Sequence, residues 1–254
     1  MLLIAFATAL LGSALIFTVG RKGRRIRRWI SFLFTLATSA FVFLALFTQP
    51  ERSYLLLEFT PRMTIAFSLD GLGSVFAGLI AFLWPLATLY AFEYMEHESG
   101  ENTFFGQYLL SYAMALFIAS AENLFTMFFF FESLTLSTVF LVAHGFSKRS
   151  MYAGRKYLYY SLGAASLGFL AMIGVLSYSD TTTFVYGGIP ALAQAPHTMM
   201  LLLFVLGFLG FGVKAAVFPL VKKDGLPEIG KSESVTTPPV RNFLKNHVLA
   251  KFCR

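Results

Sequence analysis

The sequence predicts an all-α fold: a polytopic bundle of about seven transmembrane helices with the N-terminus outside. Three observations lead to this prediction. The chain is 57% hydrophobic and 13% charged, with a mean hydropathy of +0.69, whereas soluble domains carry about 25% charged residues. Seven stretches approach or reach the length of about 20 apolar residues that a helix needs to cross a bilayer. Basic residues lie mainly in short segments between these stretches, as orientation signals do.

Each predicted span is an apolar run bounded by polar or charged residues. Met1–Gly20 is interpreted as a retained span rather than a signal peptide, because the basic residues follow its apolar run instead of preceding it. The connection around Ala121–Glu122 is very short, so the fourth and fifth spans are expected to pack as an antiparallel hairpin. The spans are predicted at about residues 1–20, 29–48, 71–92, 104–121, 123–144, 157–177 and 199–220.

The distribution of lysine and arginine predicts the orientation of the spans. The inner side receives the basic segment after the first span and the one between spans five and six, whereas Arg52 and Arg62 fall outside. The acidic segment at residues 93–102 also falls on the inner side, which the rule tolerates because acidic residues weigh little in it. The inner basic residues are Arg21, Lys22, Arg24, Arg25, Arg27, Arg28, Lys148, Arg149, Arg155 and Lys156, with Lys222 and Lys223 after the last span.

Three segments between or after the spans have their own predicted character. Tyr54–Asp70 partly alternates between apolar and polar residues, which predicts a short external hairpin. Ser179–His197 is rich in threonine, glycine and proline and is read as an external loop. From Val221 onward the chain is hydrophilic, so residues 221–254 are predicted to form a polar cytoplasmic tail.

Two charged residues inside apolar spans, Glu132 and Lys214, are the main candidates for a functional site. A charge at membrane depth is costly, and it persists where it faces the protein interior or a wet cavity, usually beside an opposite charge. Glu132 follows Asn123 by nine residues, which places it about 14 Å into the layer. The alternative is a purely structural carboxylate.

Lys214 lies beside a predicted break in the last span. Pro219 has no N–H group, so the carbonyl of Ala215 loses its helical partner, and Gly210 and Gly212 permit close approach. Interrupted helices at membrane depth mark ion-binding positions in many transporters. The alternative is a lysine that extends to the inner surface below a proline kink.

Glu132 and Lys214 are predicted to lie within reach of each other. Spans five and seven run in the same direction, and the two residues lie at depths of about 14 Å and 22 Å. An extended lysine, or one bridging water, covers the offset. At low dielectric such a pair favours the charged form of both groups, and its separation favours the neutral forms, which makes it a candidate ion relay.

Other polar or aromatic residues have simpler interpretations. His144, at the inner end of span five, is read first as an interfacial residue and second as an ion-transfer candidate. Glu122 is expected to extend toward the lipid headgroups. The phenylalanine run at residues 128–131 is expected to face lipid or to fill packing space.

Four segments resemble the family of proton-translocating membrane subunits. They are FSLDGLGSVF (67–76), the run from MEHESGENTFFGQ to FLVAHG (95–145), YAGRKYLYYSLGAASLGFLAMIGV (152–175) and GFGVKAAVFPL (210–220). This family includes antiporter-like subunits of complex I, membrane-bound hydrogenase subunits and subunits A and D of multisubunit sodium/proton antiporters. The resemblance implies that Glu132 is the buried glutamate of the family and Lys214 its partner lysine. The resemblance also matches Asp70 to the acid of the family's VDG-like segment.

Members of the resembled family continue with further helices and a second inverted repeat, whereas this sequence continues after Leu220 with a hydrophilic segment. The expectation is a C-terminally truncated member or one half of a split subunit. Three functions remain open: a subunit of a proton- or sodium-translocating complex, a membrane protein with only a structural or assembly role, and an unrelated seven-span receptor or transporter. The four matching segments argue against the third.

Composition excludes several other functions. The single cysteine, Cys253, excludes an intrachain disulfide and a cysteine-ligated metal cluster, and no cofactor or metal is expected. The net charge is +7, but the basic residues lie in the short segments between spans, where they act as orientation signals. This distribution argues against nucleic-acid binding. The resemblance implies other partners: membrane subunits of an ion-translocating complex, protons or sodium ions, and the lipid of a bacterial or archaeal cell membrane. If such a complex is an oxidoreductase, its redox chemistry is expected in other subunits.

Overall fold

The computed structural model describes residues 1–20, 23–48, 53–60, 62–145, 147–179, 181–189, 192 and 195–212. Within these ranges the chain forms seven α-helices and one antiparallel pair of strands. In chain order these are α1 (Leu2–Val19), α2 (Arg24–Thr48), β1 (Tyr54–Thr60), β2 (Met63–Phe67), α3 (Gly71–Tyr94), α4 (Glu101–Ala119), α5 (Leu124–Val142), α6 (Lys148–Tyr178) and α7 (His197–Gly212). The predicted all-α bundle and its hairpin are confirmed, while the predicted tail at 221–254 lies outside the described residues.

The helices have the properties of an integral multi-pass membrane protein. Among the described residues, five helices are long and apolar enough to cross a membrane, namely α1, α2, α3, α5 and α6. Only 22–39% of their most apolar windows is buried inside the protein, so most of that apolar surface requires lipid as its solvent. The helix α4 carries more polar residues, and α7 is shorter within the described range, so their role as spans stays a prediction.

The helices pack in an order that differs from their order in the chain. The first helix, α1, lies between α2 and α4, and α2 in turn packs against α3. On the other side of α4 the helices follow each other as α4, α5, α6 and α7. As expected from the short connection, α4 and α5 pack together as a hairpin. This order separates α5, which carries Glu132, and its neighbours α6 and α7 from the pair α2–α3.

Two helices begin earlier than the sequence predicts. The helix α2 begins at Arg24 rather than near residue 29, and α6 begins at Lys148 rather than near residue 157. Ser147 caps α6, since its side chain accepts a hydrogen bond of 3.0 Å from the N–H of Ser150. The basic residues predicted as connecting segments therefore form the first turns of these helices, because apolar content defines the part of a helix in lipid and not its ends.

The hairpin anchors the predicted outer ends of the helices. Ser68 and Glu122 form backbone hydrogen bonds between the end of β2 and the α4–α5 connection, and Leu124 and Phe184 do the same between that connection and the segment after α6. The Asn123 side chain donates to the carbonyl of Thr64 at 3.1 Å and accepts from the N–H of Thr126 at 2.7 Å. The predicted external loop is therefore tied to the start of α5 in its described part, which fixes that helix relative to the hairpin.

Four phenylalanines join α1, β2, α4 and α5 beneath the hairpin. Phe6, Phe67, Phe117 and Phe130 are buried, and their ring centroids lie 4.3–5.5 Å apart in the contacting pairs. Aromatic pairs in this range contribute about 1 kcal/mol each beyond their burial. Phe130 belongs to the predicted phenylalanine run, so part of that run packs inside the protein.

Candidate functional site

Glu132 lies near the middle of α5, as the ninth of its 19 residues, on a helix whose start is capped by Asn123. The side chain is partly buried, and its Oε1 atom is shielded from solvent. Nine residues of helix separate it from Asn123, which corresponds to about 14 Å of depth. The structure thus places Glu132 in the middle turns of an apolar helix that is long enough to cross a membrane, and its depth in the layer stays a prediction.

Two phenylalanines within one turn of Glu132 pack α5 against the two following helices. The ring of Phe128, one turn before Glu132, lies 5.8 Å from the ring of Phe169 on α6. The ring of Phe131 lies 5.1 Å from that of Phe211 on α7, in an edge-on arrangement. Glu132 therefore lies on a stretch of α5 that contacts both α6 and α7.

Small residues bring α6 and α7 into close contact at the same level. A Cβ atom added to Gly210 would lie 2.5 Å from the backbone nitrogen of Gly168 and 2.7 Å from its Cα atom. A Cβ atom on Gly168 would in turn be in van der Waals contact with both Phe128 and Phe211. The close approach predicted for Gly210 is present, and the helices α5, α6 and α7 converge around Gly168.

Lys214 lies outside the described residues, so the predicted Glu132–Lys214 pair has no measured distance. The nearest described landmark is Phe211, three residues earlier in the chain, which contacts Phe131. The structure therefore brings the helix that leads to Lys214 to the residue preceding Glu132. The pairing itself stays a prediction.

The inner half of α5 carries hydroxyl groups beyond Glu132. Thr138 and Tyr157 of α6 share a hydrogen bond of 3.0 Å, and Ser137 and Ser111 of α4 share one of 2.9 Å. Ser137 also donates to Gln107 of α4 at 3.2 Å. Polar side chains thus continue from the level of Glu132 toward the predicted inner surface on both sides of α5.

Asp70 is placed at the start of α3, away from Glu132. It is exposed, and its Oδ1 atom accepts a hydrogen bond of 2.6 Å from the N–H of Gly73, so it acts as the N-cap of the helix. This capping role is sufficient to explain why an acidic residue stands at position 70. The role of Asp70 as a secondary ion-transfer candidate stays a prediction.

His144 follows the inner end of α5, as the sequence predicts. Its ring packs edge-on against Phe104 with a centroid distance of 5.4 Å. Its Nε2 atom is buried and has no hydrogen-bond partner within the described part of the chain. His144 is therefore separated from Glu132 by three turns of helix, and the two are not in contact along α5.

A buried ion-pair cluster at the inner ends of α2 and α4 was missed by the sequence interpretation. Glu101 is 5% exposed and forms ion pairs with Arg24, at 2.6 Å, and with Arg27. The acidic segment thus lies against the basic one, which explains why both occur on the same predicted side. The signal was present in the sequence: opposite charges in two short segments assigned to one side.

We expect Glu101→Gln to lower the free energy of unfolding by about 3 kcal/mol, because it leaves the partly buried Arg27 without its counter-ion. This is the lower part of the range for breaking a buried pair, since Arg24 is half exposed to water. The measurement is thermal unfolding in detergent micelles. Glu98→Gln, in the same segment but exposed, is the control and should leave the transition unchanged. Equal transitions for the two variants would contradict the assignment.

Buried hydroxyls on one face of α2 form a second feature that the sequence interpretation missed. Ser31, Thr35 and Ser39 each donate to the carbonyl four residues earlier, and Ser39 also shares a hydrogen bond of 2.8 Å with the hydroxyl of Tyr112 on α4. Their spacing of four residues was the available signal. The self-satisfied hydroxyls permit close helix packing, as small polar residues do in membrane bundles.

Two known protein families match parts of this chain. Residues 121–222 match a family described as NADH:quinone oxidoreductase/Mrp antiporter, TM, and residues 60–105 match one described as NADH-ubiquinone oxidoreductase (complex I), chain 5 N-terminus. Together the two matches cover more than half of the chain. The matched regions include the segments that carry Asp70, Glu132, His144 and Lys214.

Curated relatives are similar over part of their length. Hydrogenase-4 component B of Escherichia coli is 29% identical over 164 residues, which are 60% of this chain and 22% of the relative. NAD(P)H-quinone oxidoreductase chain 4-1 of Synechocystis is 27% identical over 208 residues, which are 78% of this chain and 39% of the relative. The chain therefore spans between about a fifth and two-fifths of the length of these relatives.

Solved structures share the fold at low sequence identity. The Mrp complex from Dietzia matches with a TM-score of 0.77 at 18% identity, covering 86% of this chain and 24% of that chain. Respiratory complex I from Thermus thermophilus matches with a TM-score of 0.70 at 21% identity, covering 87% and 45%. At this level of identity the similarity shows the fold alone, and both structures are multisubunit membrane complexes.

Proposed function

Since the chain belongs to the family of antiporter-like membrane subunits of complex I, hydrogenase and Mrp type, we propose that it carries protons or sodium ions through the apolar layer as part of a multisubunit complex. Glu132 is proposed as the intramembrane carboxylate of this path and Lys214 as its charge partner. The observation that carries the proposal is the contact between Phe131 and Phe211, which joins the Glu132 stretch of α5 to the helix that leads to Lys214.

The chemistry of a carboxylate at this depth suits ion transfer. A proton that binds to Glu132 converts the anion to a neutral acid and removes its attraction for a neighbouring ammonium group. When the ammonium group returns, it favours the anion again and the proton leaves toward another acceptor. The hydroxyls of Ser137, Thr138 and Tyr157 supply polar surface on the inner side of Glu132 along which ordered water can be held.

The alternative is a structural or assembly role without transport. The two functions are separated by an assay on the intact complex, purified from native membranes with the subunits that accompany the chain and placed in vesicles with an internal pH dye. We expect ion uptake by the wild-type complex and its loss in Lys214→Ala, with uptake retained in Lys148→Ala, which removes an exposed charge at the inner start of α6. If Lys214→Ala assembles normally and takes up ions as fast as Lys148→Ala, the result favours the structural role.

The pairing of Glu132 with Lys214 can be tested separately from transport. In a double-mutant cycle on the free energy of unfolding, Glu132→Gln and Lys214→Ala should show a coupling energy of about 1 kcal/mol or more, because each single variant leaves a charge at low dielectric without its partner. Additive effects within about 0.3 kcal/mol would mean that the two groups do not interact.

A further inference from the structure

A cleft with a volume of about 440 Å³ lies between the inner ends of α2 and α3, away from the helices that carry Glu132. Arg24, Arg25 and Arg28 form its polar rim, and Trp29 and Phe92 contribute to its apolar wall. Guanidinium groups bind phosphate oxygens through paired N–H donors, which is why arginine dominates phosphate recognition in proteins. The cleft therefore combines an anion-binding rim with an apolar interior.

One arginine of the rim is left over after the ion pairs of the described residues are assigned. Glu101 is shared by Arg24 and Arg27, and Glu96 lies 3.7 Å from Arg28. These two carboxylates pair with three arginines, Arg24, Arg27 and Arg28. Arg25 is exposed and forms no ion pair with any residue in the part of the chain that the structure describes, so its charge is available to an external anion.

The apolar wall of the cleft continues along the lipid-facing surface of the helices. Trp29 is 60% exposed and lies one helical turn beyond Arg25 on α2. On α3, Leu89 lines the cleft and Leu86, one turn further toward the middle of the layer, is also exposed. Tryptophan with an exposed ring is typical of the headgroup level of a membrane. A molecule that contacts both the arginine rim and the apolar wall needs an anionic head and long apolar chains.

We propose that this cleft binds an anionic phospholipid, with the phosphodiester on Arg25 and Arg28 and an acyl chain along Trp29, Phe32 and Leu89. Basic pockets between helices at the inner surface of a membrane suit such headgroups. Arg28 is held in place for this contact, since its guanidinium donates to the carbonyl of Phe92 at 3.1 Å and lies 5.9 Å from the centre of the Phe92 ring. Such a lipid would bridge α2 and α3 at their inner ends.

The test is native mass spectrometry of the full chain, released from nanodiscs that contain equal parts of phosphatidylglycerol and phosphatidylcholine. We expect the wild-type protein to retain phosphatidylglycerol in preference to phosphatidylcholine. Arg25→Gln should reduce this preference about fivefold, as expected for loss of one basic residue at a membrane surface. Arg25→Lys should keep most of it, because the charge remains.

Lys148→Gln is the matched control, since it removes an exposed charge on the same predicted side but does not line the cleft. It should leave the lipid preference unchanged. Arg25 has no ion pair within the described ranges, so its loss should not unfold the protein, and an unchanged thermal transition checks this. Equal loss of lipid in Lys148→Gln and Arg25→Gln would overturn the proposal in favour of general surface attraction.

Two further outcomes would also overturn it. If inorganic phosphate at millimolar concentration displaces the retained phosphatidylglycerol completely, the cleft is a site for a soluble anion. If a photo-crosslinker at position 29 reacts with a protein subunit and not with lipid in the purified complex, the cleft is a protein interface. Crosslinking to lipid in the wild-type complex, reduced in Arg25→Gln, would support the lipid site.

Discussion

Replacing Glu132 by glutamine is expected to reduce ion translocation by the intact complex about 100-fold or more. The amide has the size and most of the hydrogen-bonding capacity of the carboxylic acid, but it cannot exchange a proton or hold an anionic charge, and positioned proton carriers contribute about 10²–10⁴ to such steps. The measurement is the rate of ion uptake by vesicles that contain the complex. Since Glu132 is partly buried between packed helices, the amount of assembled complex is measured in the same preparation.

Glu58→Gln is the matched control for this result. Glu58 is exposed on β1, at the predicted outer surface, and it undergoes the same chemical change without any place in the proposed path. Its uptake rate should equal that of the wild type, and Glu132→Asp, which keeps the carboxylate but withdraws it by one methylene, should retain a measurable fraction. Full transport in Glu132→Gln would refute the role of Glu132 and leave the assembly function as the better interpretation.

Replacing Gly210 by alanine is expected to reduce ion translocation by about tenfold or more and to destabilise the protein by about 2 kcal/mol. The added Cβ atom would meet the backbone of Gly168 at 2.5 Å and the carbonyl oxygen of Ala164 at 3.0 Å, and backbone atoms cannot rotate away as the end of a side chain can. The helices α6 and α7 must therefore separate, which withdraws Phe211 from Phe131. A displacement of about 1 Å in a reacting group can cost as much as about 100-fold in rate.

The same substitution one turn earlier on α7 provides the control. A Cβ atom at Gly207 would have the Cβ atom of Ala171 as its nearest neighbour at 3.7 Å, which is ordinary van der Waals contact. Gly207→Ala should therefore leave both the unfolding temperature and the uptake rate unchanged. If the two variants behave alike, close packing at Gly168 does not control the position of α7.

Much of the architecture could be predicted because membrane depth selects residues by hydropathy alone. The apolar run at residues 2–19 is the helix α1 over almost its whole length, and the short connection at Ala121–Glu122 does join two packed helices. Helix ends were predicted less well. Arg24 and Lys148 begin helices rather than connect them, because helical hydrogen bonding continues into water after the apolar layer ends.

Partners between helices could not be predicted in the same way. Glu101, Arg24 and Arg27 lie in separate polar segments, and a rule that counts charges by side of the membrane does not say which charges touch. The neighbours of α1 are another example. The helix α1 packs against α4 as well as α2, although α2 and α3 lie between α1 and α4 in the chain. The helix α3 packs mainly on α2.

The sequence by itself determined that the chain is a membrane protein and approximately where its helices run, and it predicts Glu132 at membrane depth, since one helix has a fixed rise for each residue and lipid admits few charges. Only the tertiary structure decided which helices meet at that depth. Phe131 contacts Phe211, and Gly210 packs on Gly168, because the shapes of side chains on separate helices fit together there. Such fits depend on three-dimensional packing of residues far apart in the chain, which hydropathy and spacing do not specify.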